Sequence, residues 1–313
     1  MRYRRMGNTG LKLSEIALGS WLTTGNAVEE RTAVACIRRA FELGVNYFDS
    51  ADVYAQRRAE QVTAAALEPF RREDYVLASK CFFPASDAVL DCGLSRQHVH
   101  VSVHKTLRNF RTDYVDLFYC HRFDPETPLD ETIHALDDLV RAGKILYWGV
   151  SEWTGEQIAE AVELSRGGAA YPPAVNQPQY NLLRRQIETN GVLEACTDAG
   201  LGIAVFSPLA QGVLTGKYLG KRIPRDSRLA DANQNRFMSD LVSDENDRRI
   251  ERIADIAKRA GVSMAHLSLA WCLRRPEITS VIVGASRVQQ VEDNIAALEV
   301  ELADEVVEEL EDV

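Results

Sequence analysis

Eight short apolar runs, each followed by a longer stretch of helical character, constrain this chain more than any other feature. The runs are Ile16–Gly19, Tyr47–Asp49, Val76–Ser79, Val115–Tyr119, Leu146–Val150, Val175–Gln177, Ile203–Phe206 and Val281–Val283. The helical stretches include Glu29–Leu43, Ser95–Phe110, Leu129–Ala142, Thr154–Ser165 and Val288–Ala297. Ser95 is placed to cap the helix that follows it, and Gly44 and Gly143 to end theirs. Strand–helix alternation repeated eight times predicts an α/β fold, a closed (β/α)₈ TIM barrel. A doubly wound sheet would alternate in the same way, but it needs a GxGxxG turn after its first strand. Gly19-Ser20-Trp21 does not supply one.

Two departures from regular spacing add detail. Before the first run, Tyr3 to Leu13 reads as a β-hairpin with Asn8 to Gly10 at its turn. Between Phe206 and Val281 there is far more chain than one crossover needs. Leu209 to Asp240, rich in Gly, Asn, Asp, Arg and Ser, reads as a long loop over the barrel mouth. Asp244–Gly261 and Ser263–Arg274 then read as two helices, one more than the pattern requires. The last stretch, Ala303–Val313, reads as an acidic amphipathic helix on the outside. No linker stands out, and residues 1–313 are expected to form one domain.

A net charge of −10 argues against a general nucleic-acid surface, so any phosphate site must be a local cluster of donors. Cys36, Cys81, Cys92, Cys120, Cys196 and Cys272 include no CxxC and no metal-ligand spacing; most lie in apolar stretches, which suits a reducing cytoplasm. No apolar run approaches the roughly 20 residues of a membrane span, and the basic start Met1-Arg2-Tyr3-Arg4-Arg5 leads into no apolar segment. His98, His100 and His104 recur at helical spacing without a matching carboxylate, which reads as a solvated helix face rather than a metal site.

Three successive runs end in ionisable residues: Asp49, Lys80 and His121, with Tyr54 five positions after the first. Taken singly, each has an ordinary reading: a turn aspartate, a surface lysine, a structural histidine, a packing tyrosine. In a barrel, adjacent strands lie about 4.8 Å apart and catalytic groups sit at their C-terminal ends. There Asp49 would hold Lys80, Lys80 would loosen the Tyr54 proton, and His121 would orient a carbonyl.

These four residues resemble the tetrad of the aldo-keto reductase superfamily. Trp148-Gly149-Val150-Ser151, Gln177-Pro178-Gln179-Tyr180-Asn181, Phe206-Ser207-Pro208-Leu209 and Gly284-Ala285-Ser286 look like further family elements in the family's order. Tyr147-Trp148-Gly149, Leu214-Thr215-Gly216-Lys217-Tyr218 and Ala270-Trp271-Cys272-Leu273-Arg274 are most similar to the branch of voltage-gated potassium channel β-subunits and their bacterial relatives. The resemblance implies NADP(H) lying extended across the barrel mouth. It implies Ser151 and Gln177 on the nicotinamide carboxamide and Phe206 stacked on the ring. The pyrophosphate would lie against Ser207, Leu209, Gln211, Gly212 and Lys217. Ser286, Arg287 and Gln290 would receive the 2′-phosphate, and Asn294 would reach the adenine. Trp21, Pro208 and Gly284 complete the expected contacts. Gly284 to Arg287 suits an anion on physical grounds too, because it follows a strand and opens a helix.

Two positions depart from the family pattern. Glu152 stands where many of these reductases have Asn, and Phe206 where Tyr or Trp is common. His121 stands where the channel subunits usually have Asn, which points toward a working reductase of a small carbonyl substrate. The alternative is a redox-sensing partner protein with incidental turnover. The channel-like branch implies a tetramer, while other members of the superfamily are monomers. Trp21, Phe82, Phe83 and Trp153 follow strand ends, where they would line an apolar pocket or pack within loops. Arg122 would bind an acidic substrate group or be a solvated or ion-paired arginine. Arg228 would clamp the cofactor phosphates or be a solvated loop residue.

Overall fold

Apolar strands that alternate with amphipathic helices bury both strand faces in an open sheet with helices on each side or in a closed barrel beneath a helical ring, and this chain takes the second form. In the computed structural model, which describes residues 1–24, 28–221, 223–225, 227–231, 235–238, 241 and 243–313, eight parallel strands form a closed barrel. They are β3 (Ile16–Gly19), β4 (Tyr47–Asp49), β5 (Val76–Cys81), β6 (Val115–Cys120), β7 (Ile145–Ser151), β8 (Val175–Gln177), β9 (Gly202–Phe206) and β10 (Ile278–Val283). Each pairs with its sequence neighbour, and β10 closes the ring onto β3 through Val281–Ile16 and Val283–Leu18. The eight expected strands are all present, five of them longer than their apolar runs by one to three residues.

The hairpin β1 (Tyr3–Arg5) and β2 (Lys12–Ser14) plugs the N-terminal end of the barrel. Its Met6 and Leu13 are fully buried in one cluster with Ala17, Tyr47, Val76 and Leu117 from the barrel interior. Gly7 makes the fit possible. It has φ +51°, and a Cβ there would lie 2.2 Å from the Gly200 carbonyl. Arg4 ties the plug down with hydrogen bonds to the carbonyls of Leu273, Arg275 and Ile278 and an ion pair to the buried Glu15.

Residues on the opposite strand faces, such as Phe48, Phe118 and Trp148, join a second cluster beneath the helices. Each such fully buried apolar side chain contributes about 1.5–3 kcal/mol relative to exposure. Helix α4 (Leu129–Arg141) shows why the helices pack there. Its buried Thr132, Ile133, Leu136 and Leu139 repeat at three to four residues and form one face.

The remaining helices of the ring are α1 (Glu30–Glu42), α2 (Arg58–Leu67), α3 (Arg96–Phe110), α5 (Gly155–Gly167), α6 (Val192–Ala199), α7 (Asp244–Arg259), α8 (Met264–Leu273) and α9 (Val288–Ala296), with α10 (Asp304–Glu311) at the C-terminal end. Their starts obey the expected local chemistry. Ser95, Ser243 and Ser263 accept hydrogen bonds from their third following amides, and Thr154 with Gln157 forms a capping box. Gly44 and Gly143 adopt left-handed φ of +91° and +66° just past helix ends, as expected.

The extra helix between β9 and β10 is present, since both α7 and α8 lie there. The long loop expected from Leu209 to Asp240 falls partly outside the described residues. Its described part holds short 3-10 turns, including Ala210–Thr215. No helix among the described residues is long and apolar enough to cross a membrane.

Candidate active site

Strand alternation decides which side chains reach the barrel mouth. Tyr47, Ala78, Tyr119, Val175 and Ala204 face the interior. Two residues further along each strand stand Asp49, Lys80, His121, Gln177 and Phe206. A period of two therefore turns all five inward at the C-terminal end. Parallel register sets their depth: Asp49 pairs with Ala78, and Lys80 with Tyr119.

The Asp49–Lys80 pair is the electrostatic centre. Lys80 is fully buried; its ammonium donates to Asp49 Oδ2 and to the Ser50 carbonyl, both at 2.6 Å. Asp49 Oδ1 accepts from Gln177 Nε2 at 2.9 Å. Burial pulls the Lys80 ammonium below its usual value, and the Asp49 charge opposes this. Beneath the pair, the hydroxyls of Tyr47 and Tyr119 bond one another at 2.9 Å and close the mouth from below.

Tyr54 lies over Lys80, whose Nζ is 5.1 Å from its ring centroid. The ammonium spends its hydrogen bonds on Asp49 and Ser50 and directs none to the Tyr54 hydroxyl. Burial, with Asp49 adding to it, lifts the Tyr54 phenol well above its usual value, and the Arg122 guanidinium opposes the rise. The loosening of this proton expected from Lys80 is thus outweighed here by desolvation and by the aspartate. Ala55, Gln56 and Arg57 follow with φ of 48°, 54° and 72°. Three consecutive non-glycine residues in this region are unusual and cost roughly 1–2 kcal/mol each, so tertiary contacts hold the turn that carries Tyr54.

His121 sits edge-on to Tyr54, ring centroids 5.8 Å apart, and edge-on to Phe83 at 5.0 Å. Burial, reinforced by the charges of Lys80 and Arg122, holds its imidazole well below the usual value. It is therefore neutral, and its Nδ1 is buried without a partner. The four residues of the expected tetrad converge on one mouth.

The expected carboxamide contacts are engaged within the protein. Ser151 donates to the Gln177 carbonyl at 2.8 Å, and the Gln177 amide is held by Asp49. Glu152 has φ +60°, a region that Asn enters more readily, and its carboxylate accepts from the Gln179 amide at 2.6 Å. Phe206 ends β9 half-buried.

After Phe206 the backbone turns through left-handed residues, Ser207 at φ 52°, Ala210 at 45°, Gln211 at 57° and Gly212 at 95°. Pro208 is buried and Leu209 packs on the core between them. Two cations meet this turn. The Lys217 ammonium lies so close that a Cβ on Gly212 would fall 2.8 Å from it. Arg228 donates to Gln211 Oε1 at 3.1 Å and lies 5.9 Å from the Trp21 ring centroid. Neither is paired with a carboxylate among the described residues, although the chain is acidic overall. Burial lowers the Arg228 guanidinium. Arg228 is half-buried.

At the other end, Gly284, Ser286 and Arg287 are exposed where β10 leads into α9. Gln290 reaches back to accept from the Ser286 amide at 2.8 Å and its hydroxyl at 3.1 Å. Asn294 is buried on α9. These two cation-bearing segments could hold the phosphates of a dinucleotide.

Of the aromatic residues at strand ends, Phe83 borders His121 and stacks edge-on with Phe82. Trp153 does not line the mouth; it is 2% exposed and packs against Phe123. His98 is buried and bonded to the Gly93 carbonyl, while His104 bonds the His100 carbonyl, so the three histidines do not converge. Among the buried acids that the sequence reading missed are Asp52 and Glu60. Asp52 accepts from Ser102 at 2.7 Å and leaves Oδ1 unpartnered. Glu60 gathers Ser79, Thr106 and Asn109. The one signal for Asp52 was its position between Asp49 and Tyr54; Glu60 has the spacing of an ordinary helix-surface glutamate.

Fold and site together define a (β/α)₈ barrel whose mouth gathers a buried Asp–Lys pair, a tyrosine and a neutral histidine. The chain belongs to the aldo/keto reductase family, whose pattern it matches over residues 15–313. A probable voltage-gated potassium channel subunit beta of Oryza sativa subsp. japonica is 39% identical, over 100% of this chain and 96% of its own length. A protein of the same name from Arabidopsis thaliana is 38% identical, over 96% and 92%. An L-glyceraldehyde 3-phosphate reductase of Escherichia coli is 37% identical, over 95% and 88%.

Proposed function

We propose that this protein reduces aldehydes or ketones to alcohols with NADPH, as one barrel domain spanning residues 1–313. The convergence of Asp49, Lys80, Tyr54 and His121 at the mouth carries the reading. NADPH, when bound, supplies the hydride. Tyr54 gives its proton to the oxygen that becomes the alcohol. Its raised value keeps it protonated at neutral pH, and an alkoxide is a far stronger base than a phenolate, so the transfer is favourable. The neutral His121 orients the carbonyl. Asp49 anchors Lys80 beneath the Tyr54 ring, where the pair's dipole faces the developing charge.

Lys217 and Arg228 fit a pyrophosphate, since they are cations held against a left-handed backbone turn with no carboxylate among the described residues to neutralise them. Ser286 and Arg287 fit a 2′-phosphate at the start of α9, which favours NADPH over NADH. Burial of five of the six cysteines suits a reducing cytoplasm.

The test is sustained NADPH oxidation with 4-nitrobenzaldehyde over many turnovers, lost in Tyr54→Phe. The channel-subunit relatives favour a second reading, a nucleotide-sensing partner protein, with the tetramer that the resemblance to that branch implies. Tight NADPH binding with one turnover or none would select it.

A further inference from the structure

Like Arg38 and Arg228, and unlike most half-buried arginines of the barrel, the arginine that follows His121 meets no carboxylate among the described residues. Arg4, Arg57, Arg72, Arg185, Arg274 and Arg275 each meet a carboxylate. Among the described residues no carboxylate pairs with Arg122. Its Nη1 donates to the carbonyl of its own neighbour His121 at 2.5 Å, and its Cζ lies 5.4 Å from the Phe83 ring centroid. The ion-paired reading open from the sequence is therefore excluded among these residues.

The guanidinium belongs to the wall of the mouth. Phe83, on which it rests, meets the His121 ring at 5.0 Å, and His121 meets Tyr54 at 5.8 Å. The other charges of that wall are matched or absent. Lys80 is paired with Asp49, and His121 is neutral. The Arg122 charge reaches all three groups, lowering Lys80 and His121 and opposing the rise of Tyr54. Among the described residues Arg122 is thus an uncompensated cation beside the reacting groups. A neutral aldehyde leaves it without a partner, whereas the guanidinium fork matches a carboxylate or phosphate in two parallel hydrogen bonds.

We infer that Arg122 recognises an anionic group on the substrate, so that the carbonyl compounds this protein reduces carry a carboxylate or phosphate a few bonds from the reacting carbon. This rests on the reductase reading of the same mouth. It adds a substrate class and a specificity-determining residue to it.

The experiment compares matched pairs with NADPH: succinic semialdehyde against butanal for a carboxylate, and glyceraldehyde 3-phosphate against glyceraldehyde for a phosphate. The expected result is a kcat/KM ratio of charged to neutral substrate on the order of 10- to 100-fold, carried mainly by KM, in at least one pair. The pair that shows it identifies the anion. Arg122→Gln collapses the ratio toward one, and Arg122→Lys retains part of it; circular dichroism checks that both variants fold. Turnover of the neutral aldehydes with no preference for the charged ones, or a preference that survives Arg122→Gln, overturns the inference and leaves the reductase reading standing. If no aldehyde is consumed, the reductase reading fails, and the anion site is read by melting temperature with succinate and with inorganic phosphate. A rise present in the wild type and smaller in Arg122→Gln supports the site, and equal shifts in the two proteins overturn it.

Discussion

Gln177 donates its side-chain N–H to Asp49 Oδ1 at 2.9 Å, across the barrel mouth from β8 to β4. With Lys80 on Oδ2, both oxygens of the aspartate are occupied. Asp49 is thereby fixed in rotation, and so is the lysine it holds. A residue expected on the cofactor's carboxamide also braces the proposed catalytic pair.

This bracing sets the cost of breaking the pair. Asp49→Asn leaves a fully buried ammonium with neutral carbonyl acceptors and no counter-charge. Removal of one partner from a buried pair typically costs about 3–5 kcal/mol. The expected outcome is a loss of that order in urea unfolding. Asp49→Asn combined with Lys80→Met should recover at least half of it, because no buried charge remains. Equal losses in the single and double variants would show that packing, not charge, dominates the site.

Tyr54→Phe keeps the ring over Lys80 and removes only the hydroxyl. Turnover is expected to fall about 10²–10⁴-fold, the usual contribution of a positioned acid, while NADPH affinity changes little. Steady-state rates and fluorescence titration separate the two. Retained turnover would remove Tyr54 from the acid role.

Arg287 is the exposed cation beside Ser286 at the start of α9. Arg287→Ala is expected to weaken NADPH binding roughly 10- to 100-fold, the loss of a charge-assisted contact, and to leave NADH nearly unchanged. Titration with both nucleotides decides it. Equal weakening would move the 2′-phosphate elsewhere.

Asp52 supplies a pH dependence of stability. Burial pushes its carboxyl up to about 7, with the Ser102 hydrogen bond and the Arg57 charge opposing and the Glu60 and Asp91 charges adding. An unfolded aspartate titrates near about 3.9. Between these values the folded protein keeps a proton that the unfolded chain has lost, so this group's contribution falls as pH rises and levels off above about 7. Asp52→Asn cannot ionise. Its stability relative to the wild type should therefore be similar near pH 4 and higher at pH 8, by at most about 4 kcal/mol. Urea unfolding of both proteins at the two pH values measures the difference; a gap independent of pH would mean that Asp52 is ionised throughout.

Much of the architecture was legible without coordinates because it rests on local rules. The strands at Tyr47–Asp49 and Val175–Gln177, the Ser95 cap and the glycine helix ends each depend on a few adjacent residues. The inward direction of Asp49, Lys80 and His121 follows from the period of two along a strand. The pattern of the amino-acid sequence by itself therefore determined a barrel, its order of elements and which tips carry ionisable groups. Tertiary structure alone decided what those groups touch. Gln177 meets Asp49, Ser102 meets Asp52, and Arg122 meets no carboxylate among the described residues, because closing the barrel chooses partners far apart in the chain. Closure also removes water, and that desolvation keeps His121 neutral and Tyr54 protonated, a balance no local spacing encodes.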